Sequence, residues 1–364
     1  MTPDIARLQR QARTLLPRGV YDYYAGAAGR ERTAHASVRA WRRIWLAPRV
    51  LRDVTAVDTS TELLGARLAT PVAVAPTGFH KLGHPDGELA TATGAARAGA
   101  LFVLSTRSTC RIEEVGGAVA AAGGTWWFQV YVMRDRDITA GLVTRAAAAG
   151  AAALVLTVDT PQVGRKRRDS DDLDVPWSYV NTGEPADPSA LSQAADVTTA
   201  DIGWLAGISG GLPVVVKGVL RADDAVGCAA AGAAAVLVSN HGGRQLDGAV
   251  PTAWALPPVA AALARTGVPA YVDGGIRDGS DMLAALALGA RAVMVGRPVL
   301  WALACGGADG VTDLLTGLTS DLAHAMALAG AATLDQAAGL AVDPAVDPAV
   351  RRSWAPGGCT NLEA

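Results

Sequence analysis

Three things are scarce in this 364-residue chain, and each scarcity excludes something. Cysteine occurs four times, at Cys110, Cys228, Cys305 and Cys359, with no CxxC pair. That spacing holds neither a zinc site nor a disulfide framework, so no metal is expected and reduced cytosolic thiols are. Charge of one sign is missing: 32 basic and 34 acidic residues leave a net charge of −2, which advertises neither nucleic acid nor an anionic membrane as partner. Long apolar runs are missing too, although half the residues are hydrophobic and mean hydropathy is +0.24. Gly227–Val238 and Ala146–Val158 stop well short of the roughly 20 residues that a membrane span requires. The start, Met1–Gly19, mixes Arg7, Arg10 and Arg13 with Ile5, Leu8, Leu15 and Leu16. It reads as an amphipathic helix ending near Pro17 rather than a signal peptide, and the expected location is the cytoplasm. Lysine is the rarest charge. Only Lys81, Lys166 and Lys217 are lysines, and the other 29 basic residues are arginine.

What is present is a repeated unit. Short β-rich runs recur at Val72–Ala75, Leu101–Leu104, Trp127–Tyr131, Ala153–Val158, Val214–Val216, Ala235–Val238, Ala270–Val272 and Ala292–Val295, separated by Ala-rich segments of helical period. Continuous apolar strands alternating with helices indicate a parallel sheet covered on its faces. Gly99, Gly150, Gly232 and Gly289 each precede a strand, where a helix C-terminus calls for a left-handed residue. Eight such units predict an α/β fold of the (β/α)8 TIM-barrel type over residues 71–340, with the site at the C-terminal strand ends. A helical N-terminal arm (1–70), with Tyr21-Asp22-Tyr23-Tyr24 at its first helix end, a long insertion after the fourth strand (165–213) and a loose tail (341–364) complete the expected organisation.

Four clusters at those strand ends carry chemistry. Asp273-Gly274-Gly275-Ile276-Arg277 and Gly296-Arg297 follow the last two strands, where barrels commonly hold a phosphate; ordinary turns with exposed arginines are the alternative. Ser239-Asn240-His241-Gly242-Gly243-Arg244-Gln245 offers a base suited to neutral pH and, three residues on, a guanidinium able to clamp a carboxylate. A lone histidine is more often structural, but a His and an Arg flanked by glycines at a strand end are harder to dismiss. Asp159 is either the orienting partner of His241 or a helix cap. Lys217 ends a buried strand, a costly place for a charge without a task.

With these residues in view, the chain resembles the FMN-dependent α-hydroxy acid oxidases and dehydrogenases, a family that takes in glycolate oxidase, lactate oxidase, mandelate dehydrogenase and hydroxymandelate oxidase. SNHGGRQLDG (Ser239–Gly248) matches the family's active-site signature. YDYYAGA (Tyr21–Ala27), APTG (Ala75–Gly78), FQVY (Phe128–Tyr131), LTVDTP (Leu156–Pro161), VVKGV (Val215–Val219), DGGIR (Asp273–Arg277) and GRP (Gly296–Pro298) follow in family order over roughly residues 15–340. The resemblance implies oxidation of a 2-hydroxy acid to a 2-keto acid with FMN as cofactor, in a homo-oligomer that is a tetramer by likeness. It implies His241 as base, Asp159 as its partner and Tyr131 at the substrate oxygen. Tyr23 and Arg244 would hold the substrate carboxylate. Pro76, Thr77, Gly78, Ser105, Gln129, Thr157, Lys217 and Ser239 would surround the isoalloxazine, and Asp273, Gly275, Arg277, Gly296 and Arg297 would hold the ribityl phosphate.

Three positions depart from the family pattern. Lys166 stands where a further carboxylate-binding Arg is usual, so either it substitutes or Arg165 or Arg167 moves in. Gly78 replaces the Ala of many oxidases, as in mandelate dehydrogenase. Arg107 occupies a stretch that usually lines the substrate pocket with apolar or small residues. Arg107 and Lys166 are both read as substrate-binding, which suggests a mandelate-like or otherwise functionalised substrate; the alternative turns Arg107 to solvent or to Asp169 or Asp171. No haem or iron–sulfur ligand spacing is present, so reduced flavin is expected to pass electrons to oxygen or a small carrier. Other flavin chemistry on the same barrel, such as isomerisation or oxidative decarboxylation, and a catalytically degenerate flavin-binding protein are the competing readings.

Overall fold

A computed structural model describes residues 3–168, 173, 175–177 and 179–342. Asp169, Asp171, Cys359 and the tail from residue 343 lie outside the described residues.

Eight parallel strands close into a barrel: β1 (Val72–Val74), β2 (Leu101–Leu104), β3 (Trp126–Val130), β4 (Leu154–Thr157), β5 (Val214–Val219), β6 (Ala235–Val238), β7 (Ala270–Asp273) and β8 (Ala290–Val295). Each pairs with its neighbours in sequence, and β8 closes on β1 through Val293–Val295 against Val72–Val74. Successive side chains point to opposite faces of a strand, so each strand buries two different surfaces. Outward residues such as Val72, Phe102, Leu154 and Val272 pack under the surrounding helices. Inward residues fill the barrel. Ala73, Ala153, Ala235 and Ala292 leave the space that Trp127 and Tyr271 occupy, their ring centroids 6.0 Å apart. Such alternation of small and large residues fills a barrel interior without voids. The hairpin Thr61–Leu63/Ala66–Leu68 adds Leu63 and Leu68 to this inner cluster.

The helices are α1 (Ile5–Leu15), α2 (Arg18–Ala25), α3 (Arg32–Trp41), α4 (Gly87–Arg97), α5 (Ile112–Ala121), α6 (Arg136–Ala148), α7 (Ala200–Ile208), α8 (Ala222–Ala230), α9 (Thr252–Leu263), α10 (Gly279–Ala287) and α11 (Arg297–Leu328), the last interrupted by non-helical Gly306 and Gly307. Gly99, Gly150, Gly232 and Gly289 all have positive φ, as the helix-to-strand connections require.

Three details differ from the sequence reading. Tyr21–Tyr24 lie inside α2, a second helix that starts after Pro17, because proline stops α1 yet favours the first turn of the next helix. The span 165–213 is not one insertion. Its last third contains α7, which buries Ile202 and Leu205 against the barrel and whose two glycines weaken the helical pattern. The N-terminal arm is not wholly helical, since Trp45–Leu46 pair with Ala341–Val342 at the start of the tail.

The arm is fastened across the C-terminal end of the barrel. Tyr21 stacks on Trp301 of α11 at 5.3 Å, and the Trp41 indole N–H donates to the Gly274 carbonyl at 2.8 Å. Arg168 forms a bidentate pair with Glu31 at 2.7 and 2.8 Å, tying the loop after β4 to the arm.

Candidate active site

One cavity of about 410 Å³ opens at the C-terminal ends of the strands, large enough for a small-molecule site. His241 enters it from the turn after β6. Its backbone sits at φ 57°, an uncommon conformation outside glycine, and one that aims the ring inward. Asp159, two residues past the end of β4, lies with its Oδ1 2.8 Å from His241 Nδ1. An ionised carboxylate only accepts, so Nδ1 carries the hydrogen and Nε2 presents its lone pair. The Tyr131 hydroxyl stands 3.4 Å from that Nε2.

Electrostatics keeps these groups in distinct states. Burial pushes His241 below the ordinary imidazole value, although the Asp159 carboxylate pulls the other way. Burial likewise favours a neutral Asp159, but its interaction with the His241 ring and the nearby Lys217 charge hold its carboxyl below the usual range. Burial raises the Tyr131 phenol to about 12, so it remains a neutral donor. Gly218 makes the carboxylate's position possible. It has φ +112°, and a Cβ there would meet the Asp159 Cβ at 2.6 Å.

Lys217 lies on β5 and is 4% exposed. Its Nζ donates to Ser239 Oγ at 2.9 Å and stands 3.5 Å from Asp273 Oδ2. Burial opposes the charge, yet Asp273 and Asp159 hold the ammonium above its ordinary value. Ser239 Oγ also accepts the His241 backbone N–H at 3.0 Å, which links the lysine to the base. Arg244 Nη1 donates to the carbonyls of Tyr23 and Gly26 at 2.7 and 2.9 Å, and its guanidinium lies 5.0 Å from the Tyr23 ring centroid.

The residues read as the phosphate cluster converge. Arg277 and Arg297 line the cavity beside Gly275 and Gly296. Burial, with Arg244 and Arg277 close by, pushes Arg297 down to about 9, the signature of a cation short of a counter-charge. Gly275 has φ +93°, and a Cβ there would lie 2.6 Å from the Ser37 backbone of the arm. The oxygens Asp273 Oδ1 and Asn240 Oδ1 are buried with no protein partner among the described residues. Two arginines with no ion-pair partner among the described residues, and orphaned acceptors beside them that suit a ribityl hydroxyl, fit a flavin monophosphate.

Tyr23, Pro76, Thr77, Gly78, Ser105, Arg107, Tyr131, Lys166, Lys217, His241 and Arg244 all line the same cavity. Of the charged run after β4, Lys166 reaches the lining, whereas Arg165 and Arg167 are exposed. Arg107 is half-buried in the cavity wall. Gln129, Thr157 and Ser239 are absent from the lining and brace residues on it. Gln129 Oε1 accepts the Ser105 hydroxyl at 3.2 Å, and its Nε2 donates to Thr157 Oγ1 at 3.0 Å.

Sequence reasoning missed several participants. The Tyr24 hydroxyl donates to the Phe79 carbonyl at 2.6 Å, and both residues line the cavity. His80 is fully enclosed behind Thr77, 2.7 Å from its hydroxyl. Gln245, inside the matched signature, donates to Thr160 and accepts from the Gly164 N–H. Gln193 comes from the loop after β4, where no pattern marks it.

The sequence profile described as FMN-dependent dehydrogenase matches residues 12–343. The chain belongs to this family. It is similar to 4-hydroxymandelate oxidase of Amycolatopsis orientalis, 43% identical over 340 residues that cover 90% of this chain and 94% of the relative. L-lactate oxidase of a Nostoc species is 42% identical, with 90% and 94% covered. Among solved structures, a crystal structure of mandelate oxidase matches with a TM-score of 0.85 and 42% identity, covering 93% of this chain and 97% of that one. This family member is therefore an FMN-dependent oxidoreductase acting on 2-hydroxy acids. Among the described residues no three His, Cys, Asp or Glu side chains gather as a metal site, and no helix is long and apolar enough to cross a membrane.

Proposed function

We propose that His241 is the base of this oxidation, that Asp159 orients it, and that the electrons pass on to oxygen. The observation that carries the reading is the pair at 2.8 Å, which makes Nδ1 the donor to Asp159 and turns Nε2, 3.4 Å from the Tyr131 hydroxyl, toward the cavity. Arg244 and Tyr23 bind the substrate carboxylate, with Lys166 as a further point charge beside them. Tyr131, a neutral donor, hydrogen-bonds the substrate oxygen. His241 Nε2 then takes a proton from the substrate, and the adjacent Asp159 stabilises the imidazolium. Bound FMN supplies the two-electron acceptor. Pro76, Thr77, Gly78, Ser105 and Lys217 surround its ring, supported by Gln129, Thr157 and Ser239. Gly275, Arg277, Gly296 and Arg297 would hold its phosphate, and the Asp273 carboxylate would accept from a ribityl hydroxyl. The buried Lys217 ammonium favours negative charge accumulating beside it.

Anaerobic addition of a panel of 2-hydroxy acids to the yellow protein tests this reading. Bleaching by at least one acid, with formation of its 2-keto acid, is the expected result; no bleaching across the panel overturns it. Admitting air should restore the colour and yield one hydrogen peroxide per turnover. Colour that stays bleached in air refutes oxygen as acceptor and leaves a small carrier. The relatives named as oxidases support the choice of oxygen.

The pH dependence of bleaching follows from the state of His241. The base works only when Nε2 is unprotonated, and burial lowers its pKa from the ordinary 6.5. The reduction rate should therefore be flat from neutrality upward and fall roughly tenfold per pH unit only on the acid side of a midpoint below 6.5. Stopped-flow reduction across that range measures it, and a midpoint above 6.5 contradicts an imidazole whose pKa burial lowers.

The same reading makes the protein a cytoplasmic homo-oligomer, a tetramer by likeness to the family. The free thiols Cys110, Cys228 and Cys305 and the exposed apolar side chains of Trp45, Val50 and Leu51 support it.

A further inference from the structure

The cavity holds a second arginine that the chemistry above does not use. Arg107 follows β2, whereas Arg244 follows β6. In the closed ring β7-β8-β1-β2-β3-β4-β5-β6, those two strands stand four places apart, on opposite sides of the barrel. Both side chains line one cavity, with His241 and Tyr131 also on its wall.

Arg107 is held firmly at its root. Its backbone N–H donates to Ser105 Oγ at 3.1 Å, and its carbonyl accepts the Phe79 N–H at 2.9 Å. At its tip, Nη2 donates to the Leu191 carbonyl in the loop after β4 at 3.2 Å. Among the described residues no carboxylate lies within 4 Å of the guanidinium, so no described side chain compensates its charge. That charge already acts inside the cavity, where it lowers the cost of ionising the Tyr131 phenol. Gly78 makes room for the side chain, since a Cβ at residue 78 would stand 2.9 Å from the Arg107 Cβ. A carbonyl-tethered, half-buried guanidinium facing a cavity is matched by an anion, and a bidentate carboxylate fits it best.

We infer that Arg107 is a second anion-recognition point, and that the preferred substrate is a dicarboxylic 2-hydroxy acid whose far carboxylate meets Arg107 while its near one meets Arg244. This rests on the 2-hydroxy acid reading above and narrows its substrate class. Arg107 thereby determines specificity. An apolar or aryl side chain would leave the guanidinium desolvated and unpaired, which disfavours such substrates.

Binding of the product-type keto acids to the FMN-loaded enzyme tests the inference without turnover. Titration is followed by perturbation of the flavin absorbance. 2-Oxoglutarate and 2-oxoadipate are compared with 2-oxopentanoate, which lacks the far carboxylate. In the wild type the better dianion should bind at least about tenfold more tightly than the monoanion, equivalent to about 1.4 kcal/mol. In Arg107→Leu that ratio should fall to about threefold or less, and in Arg107→Lys, which keeps a cation, it should stay above that of Arg107→Leu. Retained flavin shows that each variant is folded. No dianion preference in the wild type, or a preference that survives in Arg107→Leu, overturns the inference. Anaerobic bleaching separates the two levels: reduction by 2-hydroxypentanoate or another monocarboxylic acid of the panel with no dianion preference sinks the Arg107 assignment alone, whereas no reduction by any acid of the panel, 2-hydroxyglutarate and 2-hydroxyadipate included, sinks the reading beneath it.

Discussion

His241→Ala is expected to remain folded and yellow while its anaerobic reduction by substrate slows by roughly 10²- to 10⁴-fold, the range a well-placed general base contributes. The ring is half-buried on the cavity wall and is not part of the hydrophobic core. Alanine and histidine share the same Cβ, so the positive φ at this position adds no new backbone cost. The loss should therefore fall on the chemical step, and FMN content should match the wild type. Asp159→Asn should reproduce part of the loss. An amide can accept from Nδ1, but it cannot stabilise the imidazolium that forms. Its pH profile should move in a defined direction. Asp159 raises the His241 pKa, so its removal shifts the acid limb to lower pH while the plateau rate drops. Stopped-flow reduction at saturating substrate measures both effects. Wild-type reduction rates in His241→Ala would remove the histidine from the chemistry.

The second large effect is expected at Lys217, and it falls on stability as well as rate. Lys217→Met keeps the length of the side chain and removes the charge. The Asp273 carboxylate, itself buried, then loses its 3.5 Å partner, and Asp159 loses a supporting charge. Breaking one side of a buried pair costs about 3–5 kcal/mol, because the remaining charge is left desolvated and alone. The shift should be visible as a lower denaturant midpoint with an unchanged slope. A paired change, Lys217→Met with Asp273→Leu, should recover part of the loss, since it leaves no orphaned charge. The single variant also carries a pH signature. Lys217 depresses the His241 pKa, so without it the acid limb of reduction should move to higher pH, opposite to Asp159→Asn. A denaturant midpoint equal to the wild type in the single variant would show that the pair contributes nothing to folding.

Much of this molecule is legible from residue order, for reasons that can be named. The runs at Leu101–Leu104 and Ala235–Val238 are strands with the bounds the sequence suggests, and the other six differ by at most a few residues. A strand buried on both faces has to be continuously apolar, and few helical segments of that length are. The glycines before β2, β4, β6 and β8 announce the helix ends because only a left-handed residue turns the chain there. The signature Ser239–Gln245 and the glycine-arginine turns are local in sequence, so they too are visible without coordinates.

Other features are absent from any stretch of sequence because they arise from barrel closure. His241 and Asp159 are 82 positions apart and meet because β4 and β6 flank β5 in the closed ring. Lys217 finds Asp273 across the same ring, so its burial is tolerable only in three dimensions. The helix α7 escaped notice because its glycines weaken the pattern that its packing restores. Whether Arg107 turns to solvent, to a loop carboxylate or into the cavity depends on the space beside Gly78 and on a carbonyl 84 positions away. Residue types and short spacings thus determined the strands, the cofactor cradle and the kinds of chemistry available. Tertiary structure alone decided which charges are paired, which are left uncompensated, and which face one another across the cavity, because burial and Coulomb energy depend on distances that only the closed fold sets.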